Sequence, residues 1–186
     1  MVASALATDD LMLIHELKPG EIAELRQAPA ISDIRCDVNR SQGEGVMEEL
    51  QLIPICKALI PVHETIVVEG APFGTLMIGE LRDSRWEGER FAASQRGHAA
   101  ADWLNVASDG TAAVDVRLTL ETDDGALVFV EYRGRTNLET GFAYSAPTFQ
   151  TGDPRYAWMN RIQAVGRGFF DAEAMTMTYP MIYELR

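Results

Sequence analysis

The sequence predicts an all-β fold, a closed antiparallel barrel of about eight or nine strands, and three observations carry that expectation. Short runs of β-forming residues, separated by turn signals, recur from Glu49 onward at intervals of roughly ten residues. Asp-Gly at 109–110 and Asp-Asp-Gly at 123–125 stand between alternating runs, which is hairpin chemistry. No long helical pattern alternates with the strands, so a parallel sheet with crossover helices is not expected.

Residues 1–48 differ in texture and are read as an N-terminal arm, with the barrel domain over 49–186. Within the arm, Ile22, Ala23, Leu25 and Arg26 fall at helix-like intervals with Pro19 near the start, predicting a short helix from Pro19 to Ala28. From Ile31 to Met47 the chain is polar and carries Gly43 and Gly45, as a linker would. The expected strands are Gln51 to Val62, Thr75 to Trp86, Arg90 to Gln95, Asp102 to Ala107, Ala112 to Glu121, Ala126 to Arg133, Gly141 to Thr148, Asn160 to Gly168 and Met175 to Leu185. Glu-Gly pairs at 69–70 and 87–88 supply further turns. The alternation is clearest from Ala112 to Glu121, where Val114, Val116, Leu118 and Leu120 share one face and Asp115, Arg117, Thr119 and Glu121 the other. So many antiparallel strands with nothing to cover a free edge favour closure, and a barrel of this size holds side chains or one small ligand.

Composition narrows the function. The chain has 186 residues, 47% of them hydrophobic, enough for one unstapled core. Its formal charge of −12 repels phosphate backbones and anionic lipid, so neither nucleic acid nor membrane is an expected partner. No run approaches the roughly 18 apolar residues of a spanning helix, and the first ten residues lack the pattern of a secretory signal; a cytoplasmic location is expected. Cys36 and Cys56 have no metal spacing and are expected as thiols, Cys56 as a buried one. His15, His63 and His98 are scattered, so no metal is expected. Neither a phosphate-binding glycine loop nor a nucleophile elbow is present, and no cofactor is expected; Gly166-Arg-Gly168 sits at a strand end without the fingerprint.

Two long motifs carry a resemblance. Asp115-Val-Arg-Leu-Thr-Leu-Glu-Thr-Asp-Asp-Gly-Ala-Leu-Val-Phe-Val-Glu-Tyr-Arg-Gly-Arg135 and Phe149-Gln-Thr-Gly-Asp-Pro-Arg-Tyr-Ala-Trp-Met-Asn160 resemble the family known as domain of unknown function 3237. Arg85 to Arg90 and Asp102-Trp103 match as well. The likeness covers about 49–186 and implies a barrel of the calycin or allene-oxide-cyclase kind, with no particular activity. The family often has Phe-Glu-Thr-Gly where this chain has Phe149-Gln150-Thr151-Gly152, so a carboxylate at 150 is missing here. A family-like barrel with an extra arm and an acidic surface suggests a homodimer.

Aromatic walls with a few convergent polar groups are how apolar pockets hold small molecules. Trp103, Tyr132, Tyr144, Tyr156 and Trp158 lie in or beside the matching motifs, although each also suits a packed core. Asp102 is the candidate base, with Arg117 and Tyr156 as holders of a carbonyl or oxyanion. Asp115 shares the Arg117 face and is a candidate for ligand binding or, equally, for a surface ladder of charge. Asn160 and Tyr156, four apart, share a face if Pro154 to Trp158 is helical, with Asp153 as its cap. Asp123 and Asp124 read as turn residues.

Parity constrains the set: of Asp102 and Trp103 only one faces inward in a regular strand, and if Arg117 points in, Val114 and Val116 must cover the outside. That inverted strand would need subunit contacts over its outer face. Two functions fit: a cofactor-independent isomerase, cyclase or hydratase/dehydratase acting on a hydrophobic oxygenated molecule, or a carrier with the same pocket and no turnover. An assembly protein would instead fill its barrel with side chains.

Overall fold

The computed structural model describes residues 49–186; the arm expected over 1–48 and its short helix lie outside the described residues. Ten strands follow one another: β1 Leu52–Ala71, β2 Gly74–Leu81, β3 Arg85–Glu87, β4 Ala93–Gln95, β5 Ala101–Val106, β6 Thr111–Thr122, β7 Leu127–Asn137, β8 Phe142–Gln150, β9 Gln163–Asp171 and β10 Thr176–Leu185. A 3-10 turn, Ala157–Arg161, joins β8 to β9. All pairings are antiparallel, and they close a circuit: β1 pairs with β2, β2 with β5, then each strand from β5 to β10 with the next, and β10 with β1 again. The fold is therefore β-barrel-like, as expected, with β3 and β4 as a short bridge between β1 and β6.

The two Asp-Gly hairpins form where the sequence predicts them. Gly110 and Gly125 both have positive φ, which glycine adopts without a Cβ clash, and Asp109 Oδ1 accepts the Thr111 N–H at 2.9 Å. The expected turn at Glu69-Gly70 is corrected: β1 runs on to Ala71, which pairs with Gly74 across Pro72 and Phe73. Proline presets the turn, and Gly70 instead takes up a register shift between Val68 and Ala71.

The strand expected from Thr75 to Trp86 is two, broken at Arg82–Ser84 where Asp83 has φ 56°. Gln95 satisfies the break: its amide donates to the Leu81 carbonyl at 2.8 Å and accepts from Ser84 Oγ at 2.9 Å.

Along the ring, alternate residues face inward, and at one end they pack solid. Trp86 and Phe91 meet Phe149 edge-on at 6.4 and 6.3 Å, above fully buried Leu118, Leu120, Val128 and Val130. Each such side chain contributes roughly 1.5–3 kcal/mol by leaving water. Cys56 lies in this core, and burial pushes its thiol up to about 12, so it stays protonated. The barrel unit is fastened by its own ends, where Gln51 and Arg186 exchange backbone hydrogen bonds of 2.8 and 3.1 Å. Among the described residues, no helix is long and apolar enough to cross a membrane.

Candidate functional site

Further along the same strands the interior opens into a cavity of about 310 Å³. Every strand of the circuit lends it a wall, and the parity of β6 shows how: Val114 and Val116 line the cavity, and Leu118 and Leu120 continue the same face into the packed core. Most of the lining is aliphatic or thioether, including Ile60, Met77, Leu104 and Met177.

Three titratable side chains interrupt that lining: Asp102 on β5, Tyr132 on β7 and Tyr179 on β10. Asp102 is paired with Gly79 on one side and Val116 on the other, so its flanking positions offer no polar side chain. Its Oδ1 is buried without a hydrogen-bond partner. Burial pushes this carboxyl up to about 7; the Asp115 backbone N–H pulls it down and the Asp115 charge pushes it up.

The Tyr132 and Tyr179 rings meet edge-on at 6.3 Å. Burial raises both phenols: Tyr132 goes well above the usual range, pushed further by Tyr179 and Asp102, and Tyr179 goes to about 12, with the Ser145 hydroxyl drawing it back, Asp102 raising it and the Tyr132 hydroxyl lowering it. Ser145 Oγ is buried near that phenol and makes no well-formed hydrogen bond. A buried polar atom left unsatisfied costs about 1–3 kcal/mol.

Two glycines make room for Tyr179. A Cβ at Gly166 would lie 3.0 Å from the ring, and one at Gly168 would lie 2.9 Å from the ring, from Met177 Sδ and from the Thr178 carbonyl. The phenol lies where β9 has no side chains. The Gly166-Arg-Gly168 spacing that made no phosphate loop is thus a period-2 pattern that clears one face of a strand.

Of the residues singled out from sequence, Asp102 and Tyr132 line the cavity. Trp103 faces the other way, as the parity argument requires, with the Arg117 guanidinium 5.6 Å from its ring centre. The expectation that Arg117 joins Asp102 in the interior is corrected: β6 is not inverted, and Arg117 lies on the outer face between Asp115 at 3.3 Å and Glu131 at 3.8 Å. Asp115 also faces outward, with Arg133 at 3.9 Å, in the surface ladder of charge. Tyr144 is 56% exposed on the outer face of β8, with Arg167 5.8 Å from its ring centre.

Tyr156, Trp158 and Asn160 stand at the packed end, away from the cavity. The Tyr156 ring lies edge-on to Phe91 at 6.0 Å while its hydroxyl donates to Asp124 Oδ1 at 3.0 Å. Arg90 lies 4.2 Å over Trp158 and holds buried Glu184 at 2.8 Å. Asn160 clamps Thr151, accepting its N–H and donating to its carbonyl, each at 2.9 Å. Asp153 accepts the Arg155 N–H at 2.9 Å, a turn just ahead of the 3-10 segment. Strand parity moves Arg117, and a tight 3-10 turn fixed to its neighbours moves Tyr156, out of the set that holds Asp102.

Tyr179 and Ser145 were not singled out from sequence. The one signal for Tyr179 was the glycine pair on the strand beside it. For Ser145, inward parity on β8 is the signal. Among the described residues, no group of three or more His, Cys, Asp or Glu side chains is placed to hold a metal ion.

Solved structures share the fold. A β-barrel-like protein from Acinetobacter baumannii aligns with a TM-score of 0.65 at 24% identity, covering 75% of this chain and 98% of its own. A protein of unknown function from Clostridium acetobutylicum gives 0.67 at 19%, covering 74% and 100%. An enzyme from Penicillium herquei gives 0.58 at 18%, covering 78% and 98%. No curated protein matches. The sequence profile of one family matches residues 50–144 and 137–185, and the chain belongs to that family, the proteins of unknown function DUF3237.

Proposed function

We propose that this barrel binds a small, mainly apolar molecule bearing an oxygen function and acts on it by acid/base chemistry without a cofactor, as an isomerase, cyclase or hydratase/dehydratase. The observation that carries the reading is Asp102: a carboxyl with one oxygen unpartnered, facing a mainly apolar cavity that two buried phenols also line. A carboxyl that titrates near 7 exists in both forms at neutral pH and can take a proton and return it. In an isomerisation, the Asp102 carboxylate removes a proton from the carbon next to a carbonyl. The Tyr179 or Tyr132 hydroxyl donates to the oxygen as charge gathers there, and the Asp102 acid returns the proton to a second carbon. Protons balance and nothing is oxidised. Hydroxyl donors held in place within an apolar site stabilise such an oxyanion far better than water does.

The enzyme from Penicillium herquei shares the barrel at 18% identity and lends the catalytic reading modest support. The test is a thermal-shift screen of apolar ketones, enones and alcohols against the wild type and Asp102→Asn. The expected result is a stabilising ligand that the wild type converts and the variant binds but leaves intact, with turnover down at least 100-fold. A ligand that stabilises both proteins and survives both makes the barrel a carrier.

A further inference from the structure

We propose that the cavity selects a neutral molecule whose polar end is a hydrogen-bond acceptor, such as a ketone, enone or lactone oxygen, and rejects carboxylates, phosphates and ammonium ions of the same size. The inference rests on the reading that the cavity is a ligand site, and it adds the charge, polarity and size of the ligand.

Among the described residues, the lining contains no lysine, arginine or histidine. Strand alternation sends the nearby guanidinium groups outward: Arg117 to the outer ladder of charge, Arg133 beside Asp115, and Arg167 over Phe142 at 4.1 Å. An anion entering the cavity would give up its hydration and meet no counter-charge. Uncompensated burial of a charge costs several kcal/mol even after relaxation.

An ammonium ion fares little better. It would find one carboxyl and a few hydroxyl oxygens for three N–H donors, and a buried ion pair must recover the desolvation of both partners. By contrast, Tyr132, Tyr179, Thr65 and Thr136 all line the cavity and carry hydroxyls, and the protonated form of Asp102 adds a further O–H. Hydroxyl donors in a mainly apolar enclosure complement an acceptor, whose one or two lone pairs they satisfy at modest desolvation cost.

Volume limits the size. At a liquid-water share of about 30 Å³ per heavy atom, the 310 Å³ cavity holds on the order of ten non-hydrogen atoms, and somewhat more of a covalently packed bicycle.

The probes are therefore a bicyclic series on one skeleton: tetralin, 1-tetralone, tetralin-1-carboxylate and 1-aminotetralin, titrated into the full-length protein by calorimetry at pH 6.5. The expected order is 1-tetralone tightest, at least tenfold tighter than the carboxylate and the ammonium and at least threefold tighter than tetralin. Failure to reach the tenfold margin against either ion overturns the charge selection and leaves the ligand site standing. Failure to reach the threefold margin over tetralin overturns the acceptor preference. If no member of the series binds at millimolar concentration, the reading of the cavity as a ligand site fails, and this inference fails with it.

Discussion

Asp102 ties stability to the site through a sign that can be worked out. Its folded carboxyl titrates near 7 against an ordinary value of 3.8, so between those values the native state keeps a proton that the unfolded chain has lost. Stability linked to this group therefore falls as pH rises from about 4 to about 7. The loss is roughly 4–4.5 kcal/mol at about 1.4 kcal/mol per pH unit. Asp102→Asn removes the titration. The difference in unfolding free energy, variant minus wild type, should climb with pH across that window in urea titrations and level off above it. A flat difference means that Asp102 is not a buried, unpartnered carboxyl. Gly168→Ala probes the other half of the site. Its Cβ would press on the Thr178 backbone and the Tyr179 ring, so the variant should lose roughly 1–3 kcal/mol and weaken ligand binding. Gly152→Ala, with open space around it and an ordinary φ, should stay within about 0.5 kcal/mol in the same melts.

At the scale of elements, parity decides what sequence can say about a site. The alternation on β6 was legible from Val114 to Leu120 because one face is uniformly apolar, and it already implied that Arg117 points outward. The attraction of an Asp-Arg pair ran against that pattern, and the pattern prevailed because inverting the strand would strip four aliphatic side chains from the core. Tyr179 was hidden for a different reason. β10 shifts register between Thr178 and Ile182, around Pro180 and Met181, so Tyr179 and Ile182 both face inward although an odd number of steps separates them. A reader of strict period 2 loses the strand there. The two Asp-Gly turns were readable since glycine is needed locally, while the turn at Pro72 and Phe73 depended on where β1 stops pairing with β2. Asn160 stands in a matching motif, and its residue type suits a ligand group. Its two bonds to Thr151 give it a structural task instead. Asn160→Ala should lower stability by about 1 kcal/mol in chemical denaturation and leave the affinity of a cavity ligand unchanged. A large loss of affinity with full stability would return Asn160 to the site.

At the scale of the whole molecule, closure is what makes the interior usable: with no strand edge left in the circuit, part of the lumen is packed and part stays open. The circuit begins with β1 and is sealed by β10, and both strands, with the Gln51 and Arg186 backbone pair, lie within 49–186. The uninverted β6 also removes the argument that a charged interior would demand subunit contacts over the outer face. A two-fold pair is then an independent proposal, read by light scattering at micromolar concentration, and an exposed tip bearing Val67 and Phe73 is a surface it could use. The closing of the ring makes a sharper prediction. A fragment of residues 49–186 should fold alone, with a strand-dominated circular dichroism spectrum and a single cooperative melt, because every pairing in the circuit is internal to it. It should also keep the affinity of the intact chain for a cavity ligand, since each wall comes from those strands. A fragment that is unfolded, or that melts cooperatively but has lost the ligand, would mean that the first 48 residues complete the barrel or its pocket.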